Sequence, residues 1–270
     1  MTSAQMFITA TIILYLCFVI CTGVLIGRRS KKSAEGFYLG GRGLGPLVTA
    51  MSAEASDMSS WLLLGIPGLA YISGICDAFW TAVGLAIGTY LNWLIVAKRL
   101  RHYSEVSRNS VTVPDFFENR FRDSSHLLMG ISAAVIVIFF VPYTASGFAA
   151  CGKLFSSLFG VNYMAAMIVS AAVIIAYTAM GGFLAASVTD FVQSIVMTAA
   201  LIFILIFGIS LSGGIGEVQQ AATSLPGYLS LTHTYDAATG TAASYGGVLN
   251  TISTLAWGLG YFGMPHILLR

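Results

Sequence analysis

A chain of 270 residues with 57% hydrophobic and only 9% charged residues cannot dress itself in a soluble surface, since soluble domains carry about 25% charged residues. This composition excludes an ordinary soluble enzyme and points to a polytopic, all-α membrane protein. The formal net charge of +2 says little by itself; where the charges lie along the chain says more.

Seven apolar runs are long enough to cross a bilayer, which takes about 20 residues. They lie near 7–27, 45–70, 76–97, 127–150, 163–181, 189–212 and 246–269. The first is read as a retained helix, because "MTSAQM" has no basic n-region and no small-residue cleavage site follows. Arg28, Arg29, Lys31, Lys32 and Arg42 follow the first run, and Lys98, Arg99, Arg101, Arg108, Arg120 and Arg122 follow the third. The positive-inside rule makes both loops cytoplasmic, at 28–44 and 98–126, with the N-terminus outside. With Arg270 also inside, only Lys153 of the 13 basic residues lies outside.

The second run holds "SAEASDMSSWLLLGIPG", Ser52 to Gly68, with Glu54 and Asp57 at membrane depth. Ionisable groups there cost roughly 3 kcal/mol each on insertion scales, so they face a cavity or a partner. Ser and Asp compete for backbone hydrogen bonds and favour helix caps. A run of them in mid-span is therefore a place for the helix to break. Such a break offers carbonyls to a cation and amides to an anionic group. The competing reading pairs Glu54 and Asp57 with a basic residue such as Arg42 as structural glue.

The cytoplasmic loop contains "TVPDFFENRF", a short amphipathic piece at the membrane surface. Tyr143, in "FFVPYTASGFAA", follows Pro142 and is either a buried structural tyrosine or a substrate contact. Asp190 sits near a helix start, where N-capping accounts for it. The segment 213–245, rich in Gly, Ser, Thr and Ala, reads as a variable external loop. The seventh run repeats the interrupted pattern in "AWGLGYFGMPH", where Gly258, Gly260, Gly263 and Pro265 alternate with Trp257, Tyr261 and Phe262. At helical spacing Trp257 and Tyr261 share one face, either as a pocket wall or as an interfacial belt.

Cys17, Cys21, Cys76 and Cys151 read as small apolar packing residues. The four histidines form no constellation, and HExxH, GxSxG and GxGD are absent, so no enzyme is expected.

The stretch "LGGRGLGPLVTAMSAEASDMSSWLLLGIPG" resembles the second membrane helix of the sodium:solute symporter family, in its proline-transporting branch. "VTVPDFFENRF", "YTAMGGFLAASVTDFVQ" and "AWGLGYFGMPHILLR" resemble further parts of that family in the same order. The resemblance implies a LeuT-like five-plus-five inverted-repeat fold preceded by one extra helix, and sodium-coupled symport of L-proline by alternating access. It divides the chain into 1–44, an extra helix with a basic loop; 45–212, the first repeat; 213–245, an external loop; and 246–270, the first helix of the second repeat.

It also implies sodium ligands at Ala55, Asp57 and Met58. A substrate pocket would draw on Ser59, Ser60, Trp61, Tyr143, Trp257, Tyr261 and Pro265, and coupling or gating on Arg42, Ser52 and Asp190. Ser60 stands where the family pattern has glycine, which bears on substrate choice. The implied partners are sodium, L-proline or a similar small amino acid, and the lipid bilayer of the plasma membrane. Nucleic acid is not among them, and no cofactor is implied beyond sodium as coupling ion. On this resemblance the chain is an N-terminal part, expected not to transport unaided. Proton coupling through Glu54 or Asp57, and a transporter-fold sensor, are the alternatives.

Overall fold

A computed structural model of the chain describes residues 3–30, 34–59 and 61–268. It is helical at each of the seven apolar runs. In chain order the helices are α1 (Ser3–Ser30), α2 (Ala34–Leu39), α3 (Pro46–Asp57), α4 (Ile66–Ser73), α5 (Ile75–Leu91), α6 (Lys98–Val106), α7 (Val113–Phe121) and α8 (Leu127–Phe159). They continue with α9 (Tyr163–Leu211), α10 (Ile215–Ser224), α11 (Gly247–Leu255) and α12 (Pro265–Leu268). Short irregular windings join them: 3₁₀ turns at Gly40–Arg42 and Ala256–Phe262, and π turns at Trp61–Gly65 and Asn92–Ala97.

Among the described residues four helices are long and apolar enough to cross a membrane: Met6–Ile26, Ile75–Val106, Leu127–Phe159 and Tyr163–Leu211. The last has 49 residues, about 73 Å at 1.5 Å per residue and more than twice a hydrocarbon core. It is two spans joined at Gly182, whose φ of 62° and ψ of −162° interrupt the winding. Only glycine serves there, since a Cβ would lie 2.8 Å from the Phe37 carbonyl oxygen. The second limb therefore begins directly after Gly182, earlier than the sequence pattern suggested.

The buried positions are largely small or polar. Ser52, Thr81, Asn92, Ser187, Thr189 and Ser194 are buried, while large residues such as Phe139, Ile138, Phe203 and Leu205 are exposed. That inversion is how helices pack where the surrounding lipid is as apolar as leucine. Cys76 is fully buried as a packing residue, whereas Cys17 and Cys21 are exposed.

The chain divides into two compact units. Among the described residues the first comprises 3–30, 34–57 and 104–194. In it α3 is tied to α9 by side-chain hydrogen bonds, Gln193 on α9 donates to the Tyr15 hydroxyl on α1, and α7 packs on α8. Thr112 caps α7 by accepting from the Asp115 amide at 3.2 Å. The amphipathic piece expected at "TVPDFFENRF" is this helix.

The turn between α7 and α8 is electrostatically built. Asp123 accepts from the Leu128 and Ser125 amides at 2.8 and 2.9 Å, which holds its carboxyl down at about 2. His126 pairs with Glu118 at 3.0 Å, and that carboxylate raises the imidazole above its ordinary 6.5. A raised histidine stabilises the fold below its unfolded value and loses that contribution as pH rises past the folded one. The lowered Asp123 contributes above 3.8 and is lost as pH falls toward about 2. Amide protection at residues 122–128, taken relative to the intrinsic exchange rate at each pH, is thus expected to be greatest between about pH 4 and 6.5 and to fall above it. His126→Gln flattens only the upper limb of that profile.

The second unit comprises residues 58–59, 61–103 and 195–268. Its centre is α5, against which α4, α11 and the Ala256–Phe262 turn all pack. The segment 213–245 is more structured than a variable loop. It forms α10 and then a hairpin of β1 (His233–Asp236) and β2 (Thr241–Ser244), paired antiparallel with His233 opposite Ser244. β1 packs on α4 and α5.

Candidate functional site

Within the first unit, α3 runs from Pro46 and stops at Asp57. Ser52 and Ser56 lie one turn apart on one face, and both hydroxyls donate to the same Asp190 oxygen, at 3.1 and 3.0 Å. Ser52 is fully buried. Asp190 is eight residues past the Gly182 interruption and inside α9, so it caps no helix. N-capping is the wrong account of it: its carboxylate binds two hydroxyls on α3, a contact spanning 138 residues of sequence. Two of the residues assigned to coupling, Ser52 and Asp190, are therefore in direct contact.

Ala55 and Asp57 are half-buried in the last turn of α3, while Glu54 is exposed. Arg42 ends the Gly40–Arg42 turn, in which Gly41 has φ 66°. Tyr143 lies in α8 beside Phe140, ring centroids 5.5 Å apart. The helix runs on through Pro142 to Phe159.

The helical ladder lapses at Met58 and Ser59 before the Trp61–Gly65 π turn begins. The Ser59 hydroxyl accepts from the Trp61 amide at 3.2 Å, and its carbonyl accepts from the Leu62 amide at 3.1 Å. This is the interruption anticipated from the clustered Ser and Asp. Ser60 lies outside the described residues.

Within the second unit, Trp61 and Trp257 face each other with centroids 5.4 Å apart and planes tilted by 33°. Tyr261 does not join that wall. The backbone over Ala256–Phe262 is 3₁₀, which turns 120° per residue, so positions three apart coincide and positions four apart diverge. Trp257 is accordingly 47% exposed while Tyr261, at 8%, is buried with Gly258 on the α5 side. The shared face expected for Trp257 and Tyr261 holds for an α-helix and fails for this winding. Pro265 opens α12, where its missing amide costs nothing.

Two features escaped the sequence reading. The first is the glycine pair in "GLAIG", Gly84 and Gly88, which lets α5 meet the backbone of Leu255 and Gly258. Its GxxxG spacing was the available signal. The second is a tie across the top of α5. The Tyr245 hydroxyl donates to Asp77 at 2.8 Å, which leaves Thr254 as donor to it at 2.6 Å. Trp80 donates to the Leu231 carbonyl at 2.9 Å, and the Ile75 amide to that of Tyr228 at 2.9 Å. These long-range partners have no local signature. Tyr245→Phe removes both hydroxyl contacts without changing volume. It is expected to cost about 1–2 kcal/mol, read as roughly tenfold faster amide exchange over Gly247–Leu255.

Residues 37–270 match the sodium:solute symporter family. The chain is 42% identical over 259 residues to sodium/proline symporter 2 of Staphylococcus saprophyticus, covering 96% of this chain and 48% of that one. It is 45% identical over 242 residues to the osmoregulated proline transporter OpuE of Bacillus subtilis, covering 89% and 47%. The chain thus spans about half the length of these relatives. In three dimensions it resembles a substrate-bound, outward-open Na⁺-coupled sialic acid symporter, with a TM-score of 0.67 at 18% identity, over 97% of this chain and 58% of the other. That likeness establishes the inverted-repeat transporter fold.

Proposed function

This chain belongs to the sodium:solute symporter family of multi-pass membrane proteins, and on that premise we propose that it serves sodium-coupled uptake of L-proline by alternating access. The names of its relatives support the substrate and the ion. The observation that carries the mechanism is the lapse of helix at Met58–Ser59, immediately after Asp57.

In this reading the carbonyls freed at the end of α3 and the Asp57 carboxylate bind sodium, with Ala55 and Met58 as the carbonyl ligands. A helix C-terminus concentrates partial negative charge from its last carbonyls. Asp57 adds a full charge, so a dehydrated cation is met by ligands of the right sign. Ser59, Ser60, Trp61, Trp257 and Pro265 form the solute pocket. Proline is compact and apolar apart from its zwitterionic end, which suits the flat faces of Trp61 and Trp257.

Arg42, Ser52 and Asp190 couple binding to gating. The Ser52–Asp190 and Ser56–Asp190 bonds fasten α3 to α9, and a change at the neighbouring interruption strains them. The drive is the sodium gradient with the membrane potential, about 2.3 kcal/mol per charge per 100 mV. No resident cofactor and no covalent chemistry are required.

The protein lies in the plasma membrane with its N-terminus outside and residues 28–44 and 98–126 in the cytoplasm. Residues 45–212 form the first five-helix repeat, 1–44 the extra helix with its basic loop, 213–245 the external segment and 246–270 the opening helix of the second repeat.

The test is uptake of labelled L-proline into vesicles holding the full-length protein that carries this sequence. An inward sodium gradient and an inward proton gradient are imposed separately. Sodium-driven accumulation supports the reading. Accumulation driven by protons alone transfers the coupling role to protonation of Glu54 or Asp57.

A further inference from the structure

One face of α5 runs through Asp77, Thr81, Gly84 and Gly88 and continues to Asn92 at the start of the following π turn, at spacings of four, three, four and four, which is a helical stripe. Its upper end is the Asp77–Tyr245–Thr254 tie. Its middle is covered by the backbone of Leu255 and Gly258. One turn further on lies Asn92, only 2% exposed. Its carboxamide oxygen is enclosed and accepts no hydrogen bond from the described residues.

Buried carbonyl oxygens in native proteins nearly always have a donor or an ion, so one without either calls for a specific partner. The surrounding backbone is irregular on both sides. Asn92 begins the Asn92–Ala97 π turn, which packs against the 3₁₀ turn at Ala256–Phe262. Inserted π turns and unwound segments free carbonyls from the regular ladder, and they recur at functional sites. The Gly258 carbonyl already points at α5: a Cβ placed on Gly88 would lie 2.2 Å from that oxygen.

The chemistry of this place is narrow. Residues 78–97 and 246–263 contain no Asp, Glu, Lys, Arg or His. Among the described residues no three His, Cys, Asp or Glu side chains gather. A divalent or transition metal asks for carboxylate, imidazole or thiolate. Neutral carbonyl oxygens suit a small monovalent cation.

We propose that Asn92 is a ligand for a sodium-sized monovalent cation, held between the π turn of α5 and the 3₁₀ turn carrying Trp257 and Tyr261. This is a second cation position, additional to the one assigned at Asp57, and it does not depend on proline being the solute. Occupancy fixes the winding of Ala256–Phe262 and with it the angle at which Trp257 meets Trp61.

The experiment is equilibrium binding of labelled sodium to the purified full-length protein in nanodiscs, without proline, in an Asp57→Asn background. Saturable binding is expected to remain, and Asn92→Leu on that background weakens it at least tenfold. Asn92→Gln keeps the carbonyl and retains most of it. Lithium competes, while choline does not. An Asn92→Leu isotherm that superimposes on its parent overturns the proposal. So does the absence of saturable binding in the Asp57→Asn protein, which leaves water as the partner of Asn92.

If Asn92→Leu does not elute as a monodisperse species, Asn92→Asp decides. The added charge tightens sodium binding at least tenfold at neutral pH, and no change refutes the assignment. Because proline is absent throughout, failure here is separable from failure of the transport reading, which Asp57→Asn tests in uptake.

Discussion

Asp57→Asn is expected to raise the sodium concentration needed for half-maximal L-proline uptake by the full-length protein, while leaving its expression and helical content intact. The substitution keeps the shape and removes the charge. Contacts to a charged partner contribute roughly 1.5–3 kcal/mol, so sodium affinity falls about 10- to 150-fold. The carbonyls at the Met58–Ser59 lapse, proposed as the remaining ligands, are backbone groups and survive the change. The defect therefore appears as a shift in the sodium concentration needed for half-maximal uptake. A maximal rate that drops at unchanged sodium affinity would assign Asp57 to gating instead. Glu54→Gln is the companion: exposed on α3, it is expected to change sodium affinity less than twofold.

The second large effect concerns stability. Gly88→Ala places a methyl group 2.2 Å from the Gly258 carbonyl oxygen, and Gly258→Ala places one 2.0 Å from that of Gly84. Both obstacles are backbone, so no side chain can swing away and the helices must separate. Overpacking of this kind costs typically 1–3 kcal/mol and sometimes more. The expected loss is at least about 3 kcal/mol for either substitution, measured as the midpoint of denaturant unfolding in detergent. Gly208→Ala is the control: it sits inside α9 with nothing within 4 Å of the added carbon. There the gain in helix propensity, up to about 1 kcal/mol, makes the variant as stable as the parent or more so. Equal destabilisation at Gly88 and Gly208 would mean that the close approach is unimportant.

What the sequence carried and what it withheld follow a physical division. The seven helical runs were legible because crossing a bilayer demands about 20 apolar residues wherever it happens. The lapse after Asp57 was legible because Ser and Asp compete with the backbone locally. Thr112 as the cap of α7 is local too. The contacts of Asp190 were not legible, since its partners Ser52 and Ser56 lie more than 130 residues away and a nearby helix start offered an easier account. Tyr261 was misassigned to the face of Trp257 because residue spacing maps onto faces only once the pitch is known. A glycine-rich run does not announce 3₁₀ winding. The Tyr245 tie and the straps at Tyr228 and Leu231 depend on the path of a polar loop, which composition does not encode.

The most direct measurement is binding of labelled L-proline to the purified full-length protein at fixed pH, with sodium exchanged for choline. Coupling between two sites is reciprocal and commonly amounts to 5- to 150-fold. Proline affinity that rises by such a factor with sodium, and sodium affinity that rises equally with proline, is the expected result. Proline binding that is the same in choline as in sodium would contradict the assignment of the α3 interruption as the coupling site.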